Sequence, residues 1–137
     1  MFEDIRNSIY KYFAIKFIEN PLNNPDGLQA EYKDKNFPFD NRGLEHWIRL
    51  NIGFTETKRE SFGSEIPYKA RGILNIVLLT KKQADTSLLN AKGKIEKIFN
   101  EQCTDNIQFG LLQEVENYYE NGYYYIILQV SFYKYTN

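Results

Sequence analysis

The 137-residue chain carries 17 basic and 18 acidic side chains, which leaves a formal net charge of -1. This length is typical of one domain with a single core. Because the net charge is close to zero, no global field attracts nucleic acid or an anionic membrane, and no run of about 20 apolar residues could cross a bilayer. We therefore expect a soluble protein that binds through local patches, with no membrane contact and no specific nucleic-acid binding.

The sequence begins with MFEDIRNSIY, which is acidic where a signal peptide would be basic, and the single Cys103 cannot form an internal disulfide. Both observations predict a cytoplasmic protein. The 11 tyrosines and 10 phenylalanines favour protein contacts, since tyrosine offers a wide ring with a polar tip. An aromatic-rich core encoded by an AT-biased genome would explain the same composition.

Two segments show the apolar spacing of amphipathic helices. The first, 2–18, ends before Asn20-Pro21 and places Phe2, Ile5, Ile9, Phe13 and Phe17 on one face. Charges of both signs occupy its other positions, which favours packing on the protein's own sheet over a membrane surface. The second, 83–100, places Leu88, Leu89, Ile95, Ile98 and Phe99 on its apolar face.

Five segments alternate between apolar and polar residues as strands do: 28–32, 45–54, 68–80, 107–115 and 122–135. The polar stretch 55–67 is predicted to be an exposed loop or the mobile end of a long hairpin. Glu120-Asn121-Gly122 is predicted to connect the last two strands as a hairpin turn. The order of elements predicts one α+β domain over 1–137, with a mostly antiparallel sheet of about five strands and both helices on one face.

The last strand has two different faces. Its even positions are hydrophobic from residue 124 to residue 132 and suit the core, whereas its odd positions are Tyr123, Tyr125, Ile127, Gln129, Ser131, Tyr133 and Tyr135. Wide rings with polar tips suit neither a dry core nor plain solvent. The odd face is therefore predicted either to contact another subunit or to lie solvated beside its own small polar residues.

Residue types for catalysis or metal binding are sparse. His46 is the single histidine and falls on the core side of its strand, and Cys103 has no base near it in sequence and is predicted to be a buried, inert thiol. Glu114 and Glu116 are predicted to share one strand face, where carboxylates are usually solvated. No glycine pattern for phosphate binding occurs. We predict no catalytic activity, no cofactor and no metal site.

Basic residues form two small groups, Lys58-Arg59 and Lys69-Ala70-Arg71, and acids such as Glu56, Glu60 and Glu65 interleave with them. The acids cancel most of the local field. These groups are therefore predicted to form salt bridges at a protein interface rather than to contact a nucleic-acid backbone.

The order of the segments resembles that of the bacteriophage tail terminator family, also called tail completion or minor tail protein U-like proteins. The features that carry the resemblance are the leading helix FEDIRNSIYKYF, Asn36-Phe37-Pro38-Phe39 in the next loop, Trp47-Ile48-Arg49-Leu50 in the following strand, YKARGILNIV from residue 68, and the aromatic and aliphatic final hairpin. The abundance of Tyr, Lys and Asn and the stretch 55–67 depart from the family pattern.

This resemblance implies a non-enzymatic assembly protein of the virion, made in the host cytoplasm. Such a protein forms a homohexameric ring on the last ring of tail tube protein, stops tube polymerisation and presents its other side to the head-tail connector or neck protein. The residues expected at contacts with other subunits or with the tube are Trp47, Arg49, Arg59, Lys69, Arg71, Tyr123, Tyr125 and Tyr133. Two alternatives stay open: a phage head-closure or neck protein, and a small ligand-binding or enzymatic α+β domain with a deep polar pocket.

Overall fold

The computed structural model describes residues 2–34, 39–59, 68–83 and 85–136, with positions 56–59, 68–69 and 135–136 described by their backbone alone. Within these ranges the helices are α1 (Phe2–Phe13), continued by a π-helical turn (Ala14–Ile18), and α2 (Thr86–Phe99). The strands are β1 (Ala30–Tyr32), β2 (His46–Arg59), β3 (Tyr68–Thr80), β4 (Cys103–Thr104), β5 (Ile107–Phe109), β6 (Gln113–Glu120) and β7 (Tyr123–Thr136).

All the described strands belong to one sheet with the order β1-β2-β3-β7-β5-β4, and β6 pairs with β7 as well. The α+β class is confirmed, but the predicted number of about five strands is wrong, because the described sheet has seven. The sheet is mixed, with one parallel pairing among otherwise antiparallel ones. The predicted strand 107–115 is divided: residues 110–112 lie between β5 and β6 and belong to neither. The short strand β1 pairs in parallel with β2.

Both helices pack on one face of the sheet, as predicted, and we call this the inner face. Their buried residues join the even-numbered residues of β2, β3 and β7 in one hydrophobic core. Leu50, Ile76 and Leu128 lie side by side in three adjacent strands and each is 0% exposed. Burial of each such side chain stabilises the fold by roughly 1.5–3 kcal/mol, so this core fixes the position of every long strand.

Helix α1 buries the residues that its spacing predicts, with one exception at its start. Ile5, Ile9, Phe13 and Phe17 are buried, whereas Phe2 is 37% exposed and stacks on the ring of Phe54 with the centroids 4.1 Å apart. In α2, Leu89 is also an exception, at 50% exposure, because it faces a surface groove described below.

The β2–β3 hairpin is longer than the sequence predicts. Residues 55–59, which the sequence assigns to an exposed loop, continue β2. Residues 56–59 pair with β3, after a register shift between Phe54 and Glu56. Cross-strand pairing overrides the polar composition of this segment, which is common for strand propensities. The rest of the predicted loop, 60–67, lies outside the described residues, so its mobility stays a prediction.

The β6–β7 hairpin confirms the predicted turn at Asn121-Gly122. Both residues have positive φ, 52° and 85°, as the favoured two-residue hairpin turn requires. A register shift in β6 places Glu114 opposite Leu128 and Glu116 opposite Ile127. Because Leu128 and Ile127 point to opposite faces, the two glutamates do too, and the prediction that they share a face is wrong.

Candidate interaction surface

The sheet face opposite the helices, which we call the outer face, carries a second and smaller hydrophobic cluster. Trp47, Val77 and Leu79 are buried in it, and the half-buried side chains packed around them are Phe39, Leu44, Tyr123, Tyr125 and Ile127. Val77 and Leu79 are buried here while Ile76 and Leu78 are buried on the inner face, so this end of β3 is covered on both sides. The odd residues of β7 are therefore partly packed rather than uniformly exposed.

Aromatic rings join the strands of the outer face. Trp47 meets Tyr123 edge to face, with the ring centroids 5.1 Å apart, and Phe39 covers Trp47 at 6.2 Å. Tyr118 of β6 stacks on Tyr125 of β7 at 4.7 Å with only 7° between the ring planes. Such pairs stabilise by about 0.5–1.5 kcal/mol beyond their buried area, so the rings hold one another in place.

Glu31 of β1 binds two of the residues predicted at subunit contacts. Its Oε1 accepts hydrogen bonds from Trp47 Nε1 at 3.2 Å and from Arg49 Nε at 3.1 Å. These contacts fasten the three-residue strand β1 to the sheet edge. Arg49 and the indole of Trp47 are therefore already partnered within the chain.

A row of amides crosses the middle of the outer face. Asn75 donates to Asn51 Oδ1 at 2.9 Å, and Gln129 donates to Asn75 Oδ1 at 2.8 Å. The row lies between the aromatic cluster at one end of the strands and the end that carries Arg71 and Tyr133, which are paired in register. The outer face thus has an apolar end and a more polar, basic end.

The predicted contact residues fall into these two groups. Trp47, Arg49, Tyr123 and Tyr125 lie at the apolar end. Trp47 is only 1% exposed within the subunit, so its own side chain offers almost no surface to a partner. Its ring is covered by residues of the loop before β2. Tyr123 and Tyr125 keep part of their surface accessible.

The remaining predicted contact residues lie at the basic end. Arg71 is exposed and Tyr133 is 39% exposed. Arg59 pairs with Tyr68 along the backbone, and Lys69 with Lys58. The side chains of Arg59 and Lys69 lie outside the described part of the structure.

Strand β6 contributes exposed residues that the sequence analysis did not single out. All eight of its residues are exposed, including Val115 at 48%, Tyr118 at 36% and Tyr119 at 60%. The predicted strand stopped at residue 115, so Tyr118 and Tyr119 were assigned to no element. The available signal was the aromatic pair one residue before an Asn-Gly turn, opposite the aromatic start of β7.

A groove of about 470 Å³ lies between the β6–β7 hairpin and the start of α2. Residues along it include Thr80, Asp85, Leu88, Leu89, Tyr119 and Tyr124. Near it, Lys92 of α2 and Glu114 of β6 form an ion pair at 2.6 Å, and the pKa of Glu114 is lowered because Lys92 donates a hydrogen bond to its carboxylate. The pair links the helix layer to the hairpin.

His46 occupies a structural position beside Asp85, the N-cap of α2. Asp85 Oδ2 lies 3.0 Å from His46 Nδ1 and accepts from Thr80 Oγ1 at 2.8 Å, while Oδ1 accepts from two α2 amides. Burial on its own would raise the pKa of Asp85, but the hydrogen bonds from His46, Thr80 and the Leu88 amide outweigh it and lower the pKa. Both carboxylate oxygens are therefore occupied in holding the start of α2.

Cys103 is exposed, so the prediction of a buried thiol is wrong. It lies in the two-residue strand β4 at the margin of the sheet, where β5 is its single partner among the described strands. No group of three or more His, Cys, Asp or Glu side chains suitable for a metal ion occurs among the described residues. In the same ranges, neither helix is long and apolar enough to cross a membrane.

Comparison with known proteins gives a likeness of fold and no family. The sequence matches no family model and no curated protein. A solved structure of a protein that carries no functional description has a TM-score of 0.61 to this chain, at 10% sequence identity, and the match covers 96% of each chain. At this identity the likeness concerns the fold alone.

Proposed function

We propose that this protein is a phage or prophage tail terminator. In this proposal, a homohexameric ring caps the tail tube, stops its polymerisation and forms the surface that joins the head or neck. The protein works by binding rather than by catalysis. Its partners are further copies of itself, the tail tube protein and the head-tail connector.

The observation that carries the proposal is the aromatic outer face. Tyr123, Tyr125 and Ile127 pack against the buried cluster that contains Trp47 and remain partly accessible. The exposed Tyr118 extends their row onto β6. Rigid tyrosine rings with free surface are enriched at protein interfaces because they bury a large area at low cost in conformational entropy. The resemblance in the order of sequence segments supports the same function.

The basic end of the outer face supports a second contact in the same assembly. Arg71 and Tyr133 are exposed neighbours in adjacent strands. Arginine and tyrosine are both enriched among the residues that dominate interface energies. A ring subunit needs contacts to its neighbours and to the tube, and two separate ends of one face could serve the two purposes.

Tube polymerisation in the presence of this protein tests the proposal. The purified tube protein from the same genome is polymerised with and without the chain, and tube length is measured by electron microscopy. The proposal predicts shorter tubes with a ring at one end. Tubes of unchanged length without a bound ring would contradict it, and binding to the connector protein alone would favour the head-closure alternative.

A further inference from the structure

Strand β6 is an edge strand with exposed residues. Among the described residues it pairs with β7 alone, and all eight of its residues are exposed. Val115, Tyr118 and Tyr119 add apolar surface to this edge. An exposed edge of this length offers its unpaired N–H and C=O groups to another strand, and native proteins either protect such edges or use them.

The charge of β6 limits which strand could join it. Glu114, Glu116 and Glu120 lie in it, and it contains no basic residue. Glu114 is neutralised by Lys92, but Glu116 and Glu120 have no ion-pair partner in the described part of the chain. They lie on the outer face, opposite Ile127 and Tyr123. Two β6 strands paired about a twofold axis would bring like charges together, which is unfavourable.

At the opposite edge of the sheet, basic residues outnumber acidic ones within the described strand segments. β1 pairs with Ile48–Leu50 only, so residues 53–59 of β2 have β3 as their single strand partner among the described residues. The chain carries Lys58 and Arg59 in this segment and Lys69 and Arg71 in the strand beside it, against one acid, Glu56. The backbone register assigns positions 58, 69 and 71, together with the acidic position 56, to the outer face and leaves an excess of basic residues there. The same face carries Glu116 and Glu120.

We propose that the β6 edge of one copy of this chain pairs with the 53–59 edge of β2 in a second copy, so that the sheet continues from subunit to subunit. Main-chain hydrogen bonds supply the affinity, and the contact between acidic and basic edges sets the orientation. Because the two edges lie on opposite sides of one subunit, the contact is heterologous and can close into a ring. This inference rests on the proposed function and specifies its self-contact.

Charge reversal tests this pairing. One variant carries Glu116→Lys and Glu120→Lys, and the other carries Lys58→Glu and Lys69→Glu, which the backbone register assigns to the same outer face. Self-association is measured by sedimentation and native mass spectrometry, with circular dichroism to confirm folding. Each variant alone is expected to associate roughly tenfold more weakly than the wild type, or worse.

Mixing the two variants should restore association, because each then offers an edge of the sign that the other lacks. A chain with all four reversals should associate again with itself. The matched control is Glu96→Lys with Glu101→Lys, which changes the net charge as much as the β6 variant does but at exposed sites outside both edges. The control is expected to associate like the wild type.

Two results would overturn the edge pairing. If the wild type associates but the reversals have no effect, or mixing fails to restore association, another surface makes the contact and the ring proposal stands. If the wild type stays monomeric even at millimolar concentration, the free chain does not pair in this way. The terminator proposal is then judged separately, by the tube-length experiment.

Discussion

The two faces of the sheet are built from the same strands and differ in what covers them. On the inner face, helices α1 and α2 bury Leu50, Ile76 and Leu128 completely. One residue further along the same strands, the outer face has Asn51, Val77 and Gln129, which are packed mainly by their own neighbours. A face that two helices cover serves stability, whereas a face that is only partly covered keeps surface for contacts.

The largest effect should come from the inner face. Phe99 is fully buried and its ring lies 4.9 Å from that of Phe109, so Phe99→Ala should lower the free energy of unfolding by about 3–5 kcal/mol. Chemical denaturation measures this value. Phe2→Ala is the matched control, because removal of the more exposed Phe2 ring should lower the free energy of unfolding by less than about 2 kcal/mol. Equal losses in the two variants would show that the inner face is not the main source of stability.

The next effect concerns the cap that holds α2 against the inner face. Asp85→Ala should lower the free energy of unfolding by about 2 kcal/mol, since it removes an N-cap and leaves Thr80 and His46 without their shared partner. Asp26→Ala, at an exposed site, is the control and should change stability by less than about 0.5 kcal/mol. A loss as small as that of the control would contradict a structural role for Asp85.

The lowered pKa of Asp85 also makes the stability of the fold depend on pH. Its pKa is lower in the folded chain than the ordinary value of 3.8, so its contribution is complete above that value and is lost as the pH falls through the lower folded pKa. Urea unfolding between neutral pH and pH 2 should therefore show that the free energy of unfolding falls less steeply toward acid pH in Asp85→Asn than in the wild type. Identical slopes would contradict the lowered pKa.

A smaller effect on folding, with a larger effect on association, is expected for the outer face. Tyr125→Ala removes the ring that stacks on Tyr118 and should cost about 1–2 kcal/mol of folding free energy while weakening self-association roughly tenfold. Tyr125→Phe keeps the ring and is the control. Circular dichroism and sedimentation separate the two effects. Unfolding of Tyr125→Ala would show that this part of the outer face is core as well.

The smallest effect should come from the ion pair between the two layers. Lys92 and Glu114 are both about one-third exposed, and pairs of this kind contribute about 0.2–1 kcal/mol. Lys92→Ala should therefore change the free energy of unfolding by no more than this, and added salt should reduce the difference. A loss several times larger would show that the hairpin depends on α2 for its position.

The sequence predicted the inner face well because apolar periodicity reports burial against a large partner. Ile5, Ile9 and Phe13 in α1, and Leu74 and Ile76 in β3, are buried as their spacing indicates. Both helices, the final hairpin and its Asn-Gly turn were predicted for the same reason, since each depends on local pattern or turn chemistry.

The outer face was harder to predict because its burial depends on contacts across the sheet. Trp47 alternates with core residues along its strand, and this pattern predicts an exposed side chain. In the structure Phe39 and Tyr123 cover it. The bulge in β6 moves Glu116 to the face opposite Glu114, and no spacing rule indicates where a bulge occurs. Strand β1, which carries the Glu31 contacts, is only three residues long. So short a sequence gives no indication that the strand pairs in parallel.

The most direct test of the proposed assembly is the mass of the protein in solution, measured by native mass spectrometry over a wide range of concentrations, alone and with the tube protein. We expect a closed hexamer at high concentration or on the tube, and a shift toward smaller species in Tyr125→Ala. A chain that stays monomeric under both conditions would contradict it.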